Sequence, residues 1–235
     1  MALFPRFWAT DRSLSILLVF LCLVIFVVHP LNELDIVGRR LISVFFSLLL
    51  ISGVSAVAKN RLATVVVGGL VFANIVTRWL RLSFGDASFV LWDAFFGGLF
   101  CGIMAVIVLT QVFREGRITF NRIQGAIAAY LLVGLFWAFA YEIVSLQWPA
   151  AFASASPTGV SPNEDLSSRF IYFSLVTLTT MGYGDITPLH PIARSLATME
   201  ALIGQLFPAV LLARLVSMEL YHRQSGGTDR RSTPE

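Results

Sequence analysis

Residues 177–185 read T-L-T-T-M-G-Y-G-D, and the interpretation of the whole chain depends on this stretch. It overlaps the end of an apolar, aromatic run, residues 170–180, which is too short to cross a bilayer because a spanning helix needs about 20 apolar residues. Gly182 and Gly184 have no Cβ and therefore tolerate backbone dihedrals that other residues rarely adopt. We predict a short re-entrant helix that is followed by a loop of unusual backbone geometry.

The composition on either side of this stretch is that of a membrane protein. Of the 235 residues, 57% are hydrophobic and 13% are charged, and the mean hydropathy is +0.78. Soluble domains carry about 25% charged residues, so the chain is predicted to be embedded in a lipid bilayer. The net charge of +3 is spread over loops and tail without a basic stripe, so nucleic acid is not expected as a partner.

Six apolar runs are interpreted as membrane-spanning helices. The first follows two arginines but lacks a small-x-small cleavage site, so we interpret it as a retained helix and not as a secretory signal. The fifth and sixth flank the re-entrant segment. The sequence thus predicts an all-α membrane protein with six transmembrane helices, a re-entrant helix and a glycine-containing loop. The six runs are residues 14–28, 41–58, 62–80, 88–113, 123–146 and 192–220.

The distribution of Lys and Arg predicts the orientation. With the N-terminus inside, the cytoplasmic segments hold eleven of the 17 basic residues and the outer segments hold six. Because cytoplasmic loops are enriched in Lys and Arg, both termini are expected in the cytoplasm of a cell that carries the protein in its plasma or inner membrane. The glycine-containing loop then faces outward.

The pentapeptide T-M-G-Y-G closely resembles the T-x-G-Y-G selectivity filter of the tetrameric potassium channels. In that family, four loops of backbone carbonyls replace the hydration shell of the permeant ion. The resemblance implies a homotetramer that binds K⁺ at Thr180, Met181, Gly182 and Tyr183. It further implies that Gly184 completes the filter and that no cofactor takes part.

The resemblance extends over residues 125–220 and implies further roles. Glu142 matches a carboxylate that supports the pore helix, and Asp185 directly follows the filter, where the Tyr172 hydroxyl is placed to meet it. Gly204 lies twenty residues after Gly184, where relatives carry a gating-hinge glycine. Pro188 and Arg194 also occupy family-like positions, and Pro208 removes a helix hydrogen bond, so that with Gly204 it predicts a bend.

Three positions depart from the family pattern. Met181 replaces Val or Ile, and its larger, softer side chain must pack differently behind the loop. Tyr172 and Phe173 occupy the places of paired tryptophans, and Val176 occupies the place of a glutamate found in some bacterial channels. These changes affect the expected stability of the filter more than its expected selectivity.

These patterns divide the chain into three parts. Residues 1–118 are expected to form four helices without a working voltage sensor, and residues 119–222 the pore module. Residues 223–235 are expected to form a disordered cytoplasmic tail. A sensor helix repeats Arg or Lys at every third residue, whereas residues 88–113 contain neither. Arg78 and Arg81 are interpreted as an interfacial anchor. Asp93, at about the depth of Arg78, is interpreted as a structural ion pair or an interfacial cap.

Among the ionisable residues of the sixth apolar run are Glu200 and Arg214. Glu200 is expected either to hydrogen-bond behind the filter or to face the cavity, and Arg214 to lie at the cytoplasmic interface.

The histidines and cysteines show no metal or disulfide spacing, and no enzymatic motif is recognised. The last segment is too short for a nucleotide- or calcium-binding domain, so any ligand is expected to act on the membrane part or through a regulatory partner.

The sequence therefore predicts a potassium-selective channel subunit, not an enzyme. Two alternatives stay open: a weakly selective cation channel, because Met181 changes the packing of the filter, and a non-conducting regulatory membrane subunit. A carrier built from inverted repeats is disfavoured because the two halves share no broken-helix pattern.

Overall fold

The long apolar runs form helices because, without water, backbone groups must satisfy their hydrogen bonds within the chain. The computed structural model describes residues 5–33, 39–57, 61–84, 87–113, 120–154 and 166–229. Its elements are α1 (Pro5–Leu23), a π-helical segment (Val24–Val28), α2 (His29–Glu33), α3 (Arg39–Val57), α4 (Arg61–Phe84), α5 (Ala87–Val112), α6 (Phe120–Gln147), β1 (Phe152–Ser154), α7 (Leu166–Leu178), β2 (Ile186–Pro188) and α8 (Pro191–Asp229).

The fold class is that of an all-α membrane protein. Among the described residues, five helices are long and apolar enough to span a bilayer: Leu14–Leu31, Thr64–Arg81, Ser88–Val112, Phe120–Gln147 and Pro191–Arg214. Helix α3 has 19 residues, about 28 Å at 1.5 Å per residue, and it contains the apolar stretch Leu41–Val54. The count of six spanning helices stays a prediction.

Helix α6 lies at the centre of the molecule. It packs against α1, α5, α7 and α8, and 14 of its 28 residues are buried. Helix α8 contacts α7 and α6, and the buried residues of Pro191–Arg214 are Ala193, Glu200 and Gly204. The re-entrant helix α7 is therefore held between α6 and α8.

The structure moves two predicted boundaries. Helix α7 begins at Leu166 and ends at Leu178, whereas the apolar run covers residues 170–180. The run does not include the first turn of the helix because that turn is polar. Helix α8 continues to Asp229, which corrects the predicted disordered tail over residues 223–229. The other predicted tail residues, 230–235, and the predicted domain boundary at 118/119 lie outside the described residues, as do residues 155–165.

A ribbon of two antiparallel strands, β1 and β2, was not predicted. Ala153 pairs with Thr187, and the backbone nitrogens of Leu189 and His190 donate to the carbonyl oxygen of Ala151 at 2.8 and 3.2 Å. Trp148 stacks on His190 with ring centroids 4.7 Å apart. The β-ribbon thus joins the end of α6 to the segment that follows the filter loop.

Candidate functional site

Backbone hydrogen bonds join the end of the pore helix to the residues that follow it. The nitrogen of Thr180 donates to the carbonyl oxygen of Thr177 at 2.9 Å, and the nitrogen of Met181 donates to that of Val176 at 2.9 Å. The nitrogen of Gly182 reaches the same Val176 oxygen at 3.4 Å. These bonds anchor the start of the filter loop, residues 179–185, to the last turn of α7.

The filter loop alternates between two backbone conformations. Thr180, Gly182 and Gly184 have φ values of +59°, +54° and +78°, whereas Met181 and Tyr183 do not have positive φ. In a strand successive carbonyls point to opposite sides, so a mirror-image dihedral at every second residue turns them toward one side. The two glycines adopt this region without a steric penalty.

Thr180 is the one non-glycine residue with positive φ among the described residues. A β-branched residue is a steric outlier there, and such strain costs about 1–3 kcal/mol, so the surrounding hydrogen bonds must hold it in place. Reasoning from the sequence attributed unusual dihedrals to Gly182 and Gly184 alone. The regular spacing of the three residues was a signal that could have extended the prediction to Thr180.

Predicted support residues contact α7 in its middle and at its start. The hydroxyl of Tyr172, in the middle of α7, hydrogen-bonds to Asp185, which follows the filter. At the start of α7, the hydroxyl of Ser167 donates to both carboxylate oxygens of Glu142, at 3.1 Å each. After the filter, the Arg194 Nε donates to the carbonyl oxygen of Pro188 at 3.1 Å, so the β-ribbon is tied to the start of α8.

Glu200 lies behind the pore helix, which is one of its two expected locations. Its side chain is completely buried. The hydroxyl of Tyr141 donates to its Oε2 at 2.5 Å, and the hydroxyl of Ser174 lies 2.5 Å from its Oε1. These two partners, which we call with Glu200 the Glu200 cluster, were missed in the sequence because they lie 59 and 26 residues away.

Gly204 is in direct contact with the end of the pore helix. A Cβ placed on Gly204 would lie 1.9 Å from the carbonyl oxygen of Leu178. That oxygen also accepts a hydrogen bond from the hydroxyl of Tyr130 at 3.0 Å. Helix α8 runs through both Gly204 and Pro208. A gating hinge at these two residues stays a prediction, and the structure adds a packing requirement for glycine.

Comparisons with known proteins agree with this geometry. The sequence model of a family described as "Ion channel" matches residues 129–220. Protein LctB of Bacillus caldotenax is 30% identical over 125 residues, which cover 50% of this chain and 92% of that protein. Other relatives are named as potassium channels. The chain belongs to the potassium channel family.

Two of these relatives of the channel match it as follows. Two pore potassium channel c of Oryza sativa subsp. japonica is 34% identical over 92 residues, 39% of this chain and 20% of that protein. Inward rectifier potassium channel Kirbac3.1 of Paramagnetospirillum magnetotacticum is 32% identical over 85 residues, 34% of this chain and 24% of that protein. No solved structure matches the chain.

Outside the pore module, the channel contains a buried ion-pair cluster around Asp93, which is 2% exposed. Arg78 Nε and Nη2 donate to its Oδ1 and Oδ2 at 3.2 Å each, and Arg81 Nη1 donates to Oδ2 at 3.3 Å. Asn74 Nδ2 donates to its Oδ1 at 3.2 Å, and the Arg78 guanidinium lies 4.0 Å from the ring centroid of Phe46. The ion pair, one of the two alternatives for Asp93, is present and buries Arg78, whereas an interfacial anchor at Arg81 stays a prediction.

Proposed function

We propose that this channel lets K⁺ cross the membrane passively and selectively, through a pore that four copies of the chain form around one axis. The observation that carries the proposal is the alternation of φ at Thr180, Gly182 and Gly184. A K⁺ ion that enters a narrow pore must exchange its hydration water for other oxygens. Successive carbonyls that face one side provide such oxygens without any charged side chain.

The ion-binding oxygens are assigned to the filter loop. The carbonyls of Thr180, Met181, Gly182 and Tyr183 line the ion path, the Thr180 hydroxyl completes its inner end, and Gly184 allows the chain to leave it. The side chain of Tyr183 is 63% exposed in the single chain, so a neighbouring subunit is needed to cover it. No cofactor is required, because K⁺ is the substrate.

Assembly as a homotetramer is supported by the unequal burial of two helices. In the pore module, 14 of the 28 residues of α6 are buried, whereas Pro191–Arg214 of α8 buries only Ala193, Glu200 and Gly204 in the single chain. The exposed apolar residues of α8 include Leu202, Leu206 and Val210, which are 56–59% exposed. One filter strand per chain surrounds an ion only when cyclic symmetry brings further copies together.

The remaining assignments follow from the predicted topology. The excess of basic residues places both termini in the cytoplasm and the filter at the outer end of the pore, in the plasma or inner membrane of the cell. Tyr172, Asp185 and Glu142 support the filter and the pore helix. Gly204 and Pro208 form the hinge region of α8, and a regulatory partner is one route by which an external signal reaches the pore.

Reconstitution of the purified protein tests the proposal. In planar bilayers with opposed K⁺ and Na⁺ gradients, the reversal potential is expected to follow K⁺, and Ba²⁺ is expected to block the current. A reversal potential midway between the two ions would favour a weakly selective cation channel. Absence of current in correctly inserted protein would favour a non-conducting regulatory subunit.

A glycine substitution tests the role of the filter. Gly182→Ala places a Cβ at φ +54°, a conformation that costs an L-residue about 1–2 kcal/mol in each subunit, so selective current should be lost while membrane insertion persists. Gly69→Ala is the matched control, because nothing lies within 4 Å of a Cβ at that site. Mass measurement in mild detergent should give four copies of the 25.9 kDa chain for both variants.

A further inference from the structure

Glu200 is an ionisable residue inside an apolar helix. Such residues cost free energy in a membrane, so their presence indicates a functional or structural role. It lies on α8 one helical turn before Gly204, and its side chain is 0% exposed. Both of its carboxyl oxygens are engaged, Oε1 with the hydroxyl of Ser174 and Oε2 with that of Tyr141, at 2.5 Å each. The side chain is therefore directed into the protein and not into an open cavity.

The Glu200 cluster joins the three helices of the pore module. Tyr141 belongs to α6, Ser174 to α7 and Glu200 to α8. The hydroxyl of Ser174 also lies 2.7 Å from the carbonyl oxygen of Gly134, on α6. One polar group of the inner helix thus fixes the pore helix to both of its neighbours.

A second contact repeats this arrangement one turn further along both helices. Gly204 follows Glu200 by four residues, and Leu178 follows Ser174 by four residues. A Cβ on Gly204 would lie 1.9 Å from the carbonyl oxygen of Leu178, so α8 and α7 touch at this point. The pairs Glu200–Ser174 and Gly204–Leu178 therefore fix the position of α7 along α8, two residues before Thr180.

We propose that Glu200 is a positioning residue for the selectivity filter. Its hydrogen bonds set the depth and rotation of α7, and through Leu178 they set the starting point of the filter loop. It acts through hydrogen-bonding capacity and not as a charge that attracts cations to the pore. The inference rests on the proposed selective K⁺ conduction.

Glutamine and alanine at this position separate the two kinds of role. Glutamine has no charge, but its carbonyl oxygen accepts from Tyr141 and its amide donates to Ser174, which keeps its own donation to the Gly134 oxygen. Alanine removes both bonds, so the buried hydroxyl of Tyr141 loses its partner, whereas the hydroxyl of Ser174 keeps the carbonyl oxygen of Gly134. Thr198→Ala is the matched control on the same helix, because the Thr198 hydroxyl bonds only to the carbonyl oxygen of Arg194, at 2.9 Å.

The experiment compares the K⁺-to-Na⁺ permeability ratio of the wild type, Glu200→Ala, Glu200→Gln and Thr198→Ala in planar bilayers. Glu200→Ala is expected to lower the ratio about tenfold, the scale of leaving one buried hydrogen-bonding group without a partner. Glu200→Gln and Thr198→Ala are expected to retain the wild-type ratio. A wild type without K⁺ selectivity would overturn the proposed function and this inference together.

Two results in a selective wild type would overturn the inference alone. One is an unchanged ratio in Glu200→Ala. The other is a loss of K⁺ current at low salt that is equal in the glutamine and alanine variants, since this would indicate a cavity charge. If Glu200→Ala fails to assemble, Tyr141→Phe and Ser174→Ala remove one hydroxyl each. Both are expected to lower the ratio to a smaller extent, and two unchanged ratios would also overturn the inference.

Discussion

The pore module and the helices that precede it hold their buried polar atoms by different means. In the pore module, hydroxyl groups bond to the buried carboxyl groups of Glu142 and Glu200. In the preceding helices, Asp93 forms salt bridges with Arg78 and Arg81 at 3.2 and 3.3 Å. The buried carboxyl groups thus contact hydroxyl groups in the pore module and guanidinium groups in the cluster on α4 and α5.

This difference indicates what each region must do. A strained filter loop needs its supporting helix fixed to within fractions of an ångström, and short hydrogen bonds between rigid helices provide such directionality. A buried ion pair contributes little net stability, because the free energy of removing both charges from water offsets much of their attraction. The cluster around Asp93 therefore locks α4 to α5 at one depth, and it is not a series of charges that can move through the membrane.

The largest effect is expected where α8 touches the pore helix. Gly204→Ala places a Cβ 1.9 Å from a backbone oxygen, which no side-chain rotation relieves. Its cost should exceed the roughly 1–3 kcal/mol typical of an overpacked core, so K⁺ current and tetramer stability should both fall sharply. Bilayer recording and thermal unfolding in detergent measure the two quantities.

Gly68→Ala is the control for this substitution, since nothing lies within 4 Å of a Cβ at Gly68. It makes the same chemical change in a helix, and it should leave the current intact and the unfolding temperature equal or slightly higher, because alanine is about 1 kcal/mol better than glycine in a helix. Wild-type behaviour of Gly204→Ala would mean that α8 does not press on α7.

The sequence predicted the helices and the motif but not the contacts that join them. The apolar runs located the spanning segments, and T-x-G-Y-G located the loop, because both signals are local. The placement of Glu200 stayed open, since its two hydroxyl partners are distant in the chain. The β-ribbon was missed because strands of three residues carry no alternating pattern.

The local strain at Thr180 was missed for a different reason. Residue preferences assign positive φ to glycine, and only the hydrogen bonds at the end of α7 make it tolerable for threonine. The ion pair of Asp93 was predictable from helix depth alone. Its geometry, in which Arg78 contacts both carboxylate oxygens, was not.

An intermediate effect is expected from breaking the ion pair. Asp93→Asn leaves Arg78 buried without its carboxylate, a change that typically costs about 3–5 kcal/mol, so the unfolding temperature in detergent should fall. The K⁺-to-Na⁺ permeability ratio should stay unchanged, because the described hydrogen bonds and ion pairs of Asp93 join α5 to α4 and not to α7. A changed ratio would show that the two regions are coupled.

Arg81→Gln sharpens this test. The side chain of Arg81 is 27% exposed, compared with 10% for Arg78, and its removal keeps the two-point contact between Arg78 and Asp93. Its effect on stability should therefore be smaller than that of Asp93→Asn. Equal losses would indicate that the cluster acts as one unit.

The smallest effect is expected from membrane voltage. Moving one elementary charge through the whole potential is worth about 2.3 kcal/mol per 100 mV, and working sensors move about three or four charges in each subunit. Here α5 has no Lys or Arg between Ala87 and Val112, and Asp93 is paired with two arginines of the neighbouring helix. The charges of the three residues sum to +1, since two positive charges and one negative charge are present.

One elementary charge per subunit limits the voltage response if Asp93 alone or the whole cluster moves. If Asp93 alone or the whole cluster moved through a tenth of the field, four copies would contribute roughly 1 kcal/mol per 100 mV. That energy changes an equilibrium about fivefold, since 1.4 kcal/mol corresponds to tenfold. Open probability should therefore vary shallowly between about −100 and +100 mV in symmetrical K⁺ without divalent ions, in contrast to channels with a sensor of several charges per subunit. An apparent gating charge of several units that persists in Asp93→Asn would show that other groups in the helices before the pore module sense voltage. These helices would then not be fixed relative to the pore module, contrary to the comparison of the two regions.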